Sequence, residues 1–319
     1  MSRTLFLTLL LLLTLLSPFI GAVEMQWDAL FQNGSLEQTI FFELRLPRLL
    51  LAFFAGLILA LSGWLFQTLF RNALMTPFTL GISGGAILGT GISVVLGLNI
   101  VILGLNLSAL FGFAGAFGSV MLILWLSRYL HHRGSDALLL LGIALSFFFS
   151  AALMVLFSVA TAMQSHAILH YTMGSLSTMG YAQVIITAFM ALLLLITLQR
   201  RRFELSLLAV NDEHARLKGV DTKRLTYFLL IVSSLAIGVL ISITGPIGFV
   251  GLIIPHVVRK LYPRANHQLI IPTALIGGLF LAACDTLSRL PQLQSEVPIG
   301  IVTAFIGGPF FIYLIIKGK

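Results

Sequence analysis

Predominantly apolar stretches, most of them long enough to cross a bilayer as a helix, follow one another from residue 4 to residue 316. Lipid offers no partner for a backbone N–H or C=O, so such a chain must satisfy its own peptide groups. Helices do so within each segment, and closed barrels do so between strands. The stretches here are continuous rather than short and alternating, which excludes a barrel. The chain therefore reads as an all-α, polytopic membrane protein, and its composition agrees: 58% hydrophobic and 9% charged residues, with a mean hydropathy of +1.04. One cysteine, Cys284, rules out a disulfide framework or a Cys-based metal cluster.

About ten spans are expected, at 4–23, 47–69, 79–97, 107–130, 136–160, 181–199, 225–243, 247–261, 268–288 and 298–316. The eighth is short, Gly-rich and interrupted by Pro255. The first could be a cleaved signal peptide, but its apolar run continues to Val23 and is read as a retained helix. With both termini cytoplasmic, the inner loops hold Arg71, Arg128, Arg133, Arg200, Arg201, Arg202, Arg216, Lys218, Lys223, Arg224, Lys260 and Arg264. Arg3, Lys317 and Lys319 lie at the inner ends, and Arg259 at the inner end of the eighth span. Only Arg45, Arg48 and Arg289 fall outside, so the excess of bases on one side sets the orientation. The net charge of +8 thus belongs to cytoplasmic loops and not to a nucleic-acid surface. Two outer segments are longer. Residues 24–46 could hold a short helix lying on the membrane, and 161–180 a short helix near the outer surface. Stretches 59–78 and 239–258 echo each other with opposite polarity, which suits an inverted repeat, though chance similarity between apolar segments explains it nearly as well. No soluble domain is evident, so 1–319 reads as a single membrane domain.

Several polar features admit two readings. Arg45 and Arg48, flanking Pro47 at a helix start, could snorkel to headgroups or, with Arg289, grip carboxylates in bidentate fashion. Asp285 stands four residues before Arg289, the spacing of an ion pair on one helix face. His256 reads as a residue at a helix bend, and His131-His132 as a solvated pair on a basic loop. His166 and His170 have metal-ligand spacing but no third ligand, so no metal site is expected. Met163, Met173 and Met179 could form a soft gate, with core filling the simpler account. Clustered glycines, from Gly81 to Gly91 and at Gly307-Gly308, permit close helix packing. No GxxxxGK[ST] or HExxH occurs, so the chain carries no nucleotide loop or metalloprotease site of those kinds, and no hydrolase site is expected.

The polar exception is SLLAVNDEHARLKGVDTKRL, residues 206–225. Asn211 or Asp212 can cap a helix over 213–218, Gly219 can end it, and Asp221 or Thr222 can cap the next span. Two short helices, not a flexible tether, are expected over 200–224.

The blocks RLPR (45–48), GPIGFVGLIIPH (245–256) and VPIG with GGPFF (297–300 and 307–311) together resemble the FecCD permease family, membrane subunits of ATP-binding-cassette (ABC) importers for ferric siderophores, haem and vitamin B12. The resemblance runs from about residue 40 to the C-terminus. Ala73, where the family has Pro after Arg-Asn, and Thr76, where an acid is common, depart from it at a cytoplasmic bend. The resemblance implies that Arg45, Arg48 and Arg289 receive glutamates of a substrate-binding protein. It implies that Asp212, Glu213, Ala215, Arg216, Leu217 and Gly219 form the surface that couples to an ATPase subunit. The family pattern there is E-x-A-x-x-L-G, and Lys218 here precedes Gly219. Two permease subunits, identical or homologous, would line one path, with Phe147, Phe148, Phe149, Phe310 and Phe311 as wall residues. No cofactor is expected on this chain, and ATP-Mg would sit on the partner ATPase. The expected cargo is a ferric siderophore, with haem and cobalamin open, and the expected location the bacterial inner membrane. An ion-coupled secondary transporter is the other class considered, but Asp285 is the sole acid expected in the interior of a span and it has a ready partner.

Overall fold

The computed structural model describes residues 3–20, 35–98, 101–102, 105–127, 134–263, 265–290 and 296–317. Helix α1 (Arg3–Leu16) ends in a 3₁₀ turn, Ser17–Phe19. A one-turn α2 (Leu36–Thr39) passes through a π turn, Ile40–Arg45, into α3 (Leu46–Phe70). After α4 (Ile82–Val95), a two-residue antiparallel ribbon pairs Val101 with Asn106 and Ile102 with Leu105. Then follow α5 (Leu107–Ser127), α6 (Gly134–Val159), the short α7 (Ala162–Met173) and α8 (Ala182–Arg200). Next come α9 (Arg202–Val210), α10 (Asp212–Leu217), α11 (Thr222–Thr244), α12 (Val250–Leu261), α13 (Ile270–Ser288) and α14 (Ile299–Lys317).

Each of the ten expected spans contains a helix. Among the described residues six helical segments are long and apolar enough to cross a membrane: Leu36–Phe70, Leu107–Leu126, Leu139–Val159, Ala182–Arg200, Thr222–Thr244 and Ile270–Ser288. The eighth expected span corrects to a half-span. Its helix α12 has 12 residues, a rise of about 18 Å against a hydrocarbon core of about 30 Å. The break after α11, Gly245–Phe249, uses up the rest of the apolar run. A second correction concerns 24–46. Its described part does not form a separate surface helix, because 36–45 run on into α3 as one 35-residue helix.

Two prolines stand within helical stretches without leaving orphaned carbonyls. A proline lacks the N–H that would bond to the carbonyl four residues back. Pro47 frees the Glu43 carbonyl, which accepts from Gly180 N at 2.9 Å. Pro255 frees the Gly251 carbonyl, which accepts from Gln67 Nε2 of α3 at 3.2 Å. Gln67 Oε1 in turn accepts from Arg259 Nη2. Both freed carbonyls are thus satisfied inside the protein, as lipid requires.

Helix α3 is the axis of the bundle and packs on α8, α12 and α13. It touches two of them backbone to backbone. A Cβ on Gly63 would overlap the Gly251 carbonyl of α12, and one on Gly56 would overlap Gly277 of α13. Helices α4 and α5 meet in the same way at Gly85 and Gly115. Trp64, Phe66, Leu51 and Ile58 of α3 are fully buried, so its apolar surface faces protein all round.

Candidate functional site

Three places carry the polar or open features of the bundle. The first is the end where α3 begins. Arg48 Nε donates to Asp285 Oδ1 at 3.0 Å, and its Nη1 donates to Glu296 Oε2 at 2.7 Å. Arg289 Nη2 lies 2.9 Å from Asp285 Oδ2, an ion pair off the hydrogen-bonding direction. The expected i,i+4 pair of Asp285 with Arg289 is therefore present. Arg289 also donates to Ser17 Oγ at 2.8 Å and to the Ile20 carbonyl at 3.2 Å, while Arg45 Nη1 donates to the Pro18 carbonyl at 3.0 Å. Asp285 is wholly buried, and Arg45 and Arg289 are buried with it. The two arginines tie the end of α1 to α3 and α13. Arg48 is the arginine nearest solvent, and its partner Glu296 is half exposed. The structure thus gathers all three sequence-picked arginines, but it gives Arg45 and Arg289 internal partners. Glu296 was missed from sequence; an acid seven residues after Arg289 and two before Pro298 was the available signal.

The second place is the opposite end, where α3 ends at Arg71. Asn211 Oδ1 accepts from Glu213 N at 3.1 Å and starts α10. Gly219, at φ +82°, ends it. Gly219 N donates to the Arg216 carbonyl at 2.9 Å and Val220 N to the Ala215 carbonyl at 3.0 Å, the paired bonds of a Schellman cap. Asp221 Oδ1 accepts from Arg224 N at 3.1 Å and starts α11. The two expected short helices are therefore α9 and α10, with α10 one residue earlier than the sequence suggests. Ala215 is buried; Arg216 Nε donates to Thr222 Oγ1 at 3.1 Å, and Asp212 pairs with Arg71 at 3.2 Å. The segment is thereby held on the bundle, yet Glu213 is exposed and Leu217 is 84% exposed. Beside it a cavity of about 540 Å³ opens among Arg201, Phe203, Lys218, Asp221, Arg224 and Phe228.

The third place is a groove of about 650 Å³ between α4, the end of α7, the break before α12, and α14. Its lining holds Phe78, Ile87, Met173, Phe249, Ile301 and Phe305 but no charged side chain. Three backbones interlock here. A Cβ on Gly174 would meet the Pro246 carbonyl, one on Gly245 the Tyr171 carbonyl, and one on Gly300 the Met173 carbonyl. Tyr171 Oη donates to the Ile241 carbonyl at 2.6 Å, and Ser175 N to the Thr244 carbonyl at 2.7 Å. Phe249 has φ +66° and ψ −31°, a conformation that costs a bulky residue about 1–3 kcal/mol. The wall residues expected from sequence lie elsewhere. None of Phe147, Phe148, Phe149, Phe310 or Phe311 lines this groove. Phe147 and Phe148 are exposed on α6, and Phe149 is buried against Gly84. Phe310 packs edge-on against His256, ring centroids 6.3 Å apart, and Phe311 is half-buried. Phe249 and Phe305 were missed because apolar residues on an apolar span carry no mark of which face they occupy.

No group of three or more His, Cys, Asp or Glu side chains able to hold a metal occurs among the described residues. His131 and His132 lie outside the described residues.

Comparison with known proteins decides among the transporter classes. The model of the FecCD transport family matches residues 9–317. The chain belongs to the FecCD transport family. The hemin transport system permease protein of Yersinia pestis is 35% identical over 98% of this chain and 94% of its own length. A vitamin B12 import system permease protein of Klebsiella pneumoniae is 34% identical over 98% and 93%. A solved structure, described as an inward-facing conformation of a metal-chelate type ABC transporter, superposes with a TM-score of 0.85 at 29% identity and covers 98% of this chain and 97% of that one. This FecCD chain is accordingly a multi-pass membrane permease of the ABC importer class. Family membership implies work with ATPase subunits, a binding protein and a second permease.

Proposed function

We propose that this FecCD permease is the channel-forming subunit through which a bacterial importer carries a ferric siderophore across the inner membrane, driven by ATP hydrolysis on a separate ATPase subunit. The observation that carries the cargo class is the groove. It is large and bordered by aromatic and aliphatic side chains with no charged group, so it suits a bulky chelate with an apolar periphery better than a free ion. Haem or cobalamin fits the same description and is the second reading, favoured by the relatives named for those ligands.

The topology follows from charge, with both termini and the Arg71 end in the cytoplasm. Residues 200–224, within a single permease domain of 1–319, form the coupling segment. Asp212, Ala215, Arg216 and Gly219 hold its shape, and Glu213 and Leu217 face the ATPase. A side chain as exposed and apolar as Leu217 on a rigid helix is the kind of anchor that a partner's cleft buries. On the outer side, Arg48 with its half-exposed carboxylate partner offers the binding protein its first contact, and Arg45 and Arg289 support that surface from beneath. A second permease copy, identical or homologous, closes the open side of the groove, and lipid covers the rest. Ion coupling is disfavoured because Asp285 is held between two guanidiniums.

The test is ATPase stimulation and uptake in nanodiscs and proteoliposomes holding the permease, its ATPase and its binding protein. A ferric hydroxamate siderophore should stimulate, with haemin and cyanocobalamin weak. Stimulation by haemin or cyanocobalamin instead would replace the cargo while leaving the importer reading intact.

A further inference from the structure

Phe249 stands out in the groove. It is one of two described non-glycine residues with a positive φ, and the other, Arg71, merely ends α3. Gly248 beside it would accept a left-handed backbone without strain, yet the positive φ falls on the phenylalanine. Something must hold the ring where that backbone puts it. The holder is Gly307 of α14. A Cβ on Gly307 would overlap Phe249 Cβ, Cγ and Cδ1, so the ring lies directly on α14's backbone. The Phe249 carbonyl is meanwhile fixed by Ile253 N and Leu252 N, both at 2.9 Å, as the first turn of α12. A strained residue whose ring rests in a seat made by another helix has two natural positions: in the seat, or released when that helix moves.

The location gives the two positions a consequence. Helix α12 is a half-span, so its start lies at mid-depth, and Phe249 lines the groove there together with Phe305 of α14. The seat, the strain and the groove meet at one side chain. We propose that Phe249 is the gate of the cargo path: parked on Gly307 it sets the width of the groove, and displacement of α14 releases the ring into or out of the passage. The proposal rests on the groove being the cargo path and adds the residue that controls it.

Cysteine accessibility tests it in the assembled complex. The chain's single cysteine, Cys284, is buried, so it gives little background to a membrane-impermeant methanethiosulfonate reagent. Phe305→Cys, at a position 83% exposed in the groove, reports whether the groove holds water. Phe249→Cys reports the gate. Labelling at 305 is expected in every nucleotide state, whereas labelling at 249 should differ by about tenfold or more between the nucleotide-free and vanadate-trapped complexes, as a shifted two-state population requires. Equal labelling of Phe249→Cys in both states, with 305 reactive, overturns the gate and leaves the path standing. Absence of labelling at 305 in all states removes the path and the gate with it. Phe249→Gly relieves the backbone strain and so keeps the chain foldable. It should let the ferric siderophore leak into proteoliposomes without ATP, and a tight Phe249→Gly complex likewise overturns the proposal.

Discussion

Replacing Asp285 by alanine should destabilise the protein more than any other single change at the outer end. Asp285 is wholly buried and faces Arg48 at 3.0 Å and Arg289 at 2.9 Å. Its removal leaves a guanidinium without its carboxylate inside the bundle, a loss of about 3–5 kcal/mol for broken buried pairs. Two features place the effect near the lower bound. Arg48 keeps Glu296, and Arg289 keeps Ser17 Oγ and the Ile20 carbonyl. The expected loss is therefore about 3 kcal/mol. The double variant Asp285→Leu with Arg289→Leu removes both charges and sacrifices Arg289's three hydrogen bonds, to Ser17 Oγ and to the Ile20 and Asp285 carbonyls, at about 1 kcal/mol each. It should thus lose about 3 kcal/mol as well and match the single variant to within about 1 kcal/mol. Reversible unfolding by SDS titration in mixed micelles, followed by tryptophan fluorescence, reads the difference. An Asp285→Ala midpoint within about 0.5 kcal/mol of wild type, or a double variant less stable than the single by about 2 kcal/mol or more, would refute the charge-burial reasoning.

Other changes follow from the same geometry. Gln67→Leu should orphan the Gly251 carbonyl beside Pro255 and cost about 1–3 kcal/mol, read by the same titration. Gly63→Leu should block the contact of α3 with α12 and abolish folded expression in fluorescence-detected size exclusion, because the Gly251 backbone has no room to yield. Leu217→Ala should leave stability within about 0.5 kcal/mol of wild type, since the residue is 84% exposed, yet weaken ATPase binding by about tenfold or more in pull-down titrations. Charge reversal at Glu213 and Arg216 together should uncouple uptake from ATP hydrolysis.

The sequence made some of this legible and hid the rest for physical reasons. Hydropathy placed a helix in each of the ten expected stretches because lipid demands apolar, internally bonded segments. Capping chemistry located α10, since Asn211, Gly219 and Asp221 act through neighbours a few residues away. The Asp285–Arg289 pair was visible for the same reason. Arg48, by contrast, meets Asp285 across 237 positions of sequence, and Gln67 meets Arg259 across 192; no local pattern announces either. The half-span nature of α12 was hinted at by Pro255 and by glycines, but where the break falls depends on interlocked backbones at Gly174, Gly245 and Gly300. The groove-lining Phe249 and Phe305 went unmarked because facing lipid, a partner or a passage calls for the same apolar residues.

On the proposed function, this chain supplies a path and an attachment surface while a partner supplies the energy. Uptake of radiolabelled ferric siderophore into proteoliposomes, with the permease paired to an active or a hydrolysis-dead ATPase subunit, tests it most directly. Accumulation should require ATP and the active ATPase, and should survive collapse of proton and sodium gradients. Accumulation by the permease alone, or with the dead ATPase and an imposed ion gradient, would contradict it.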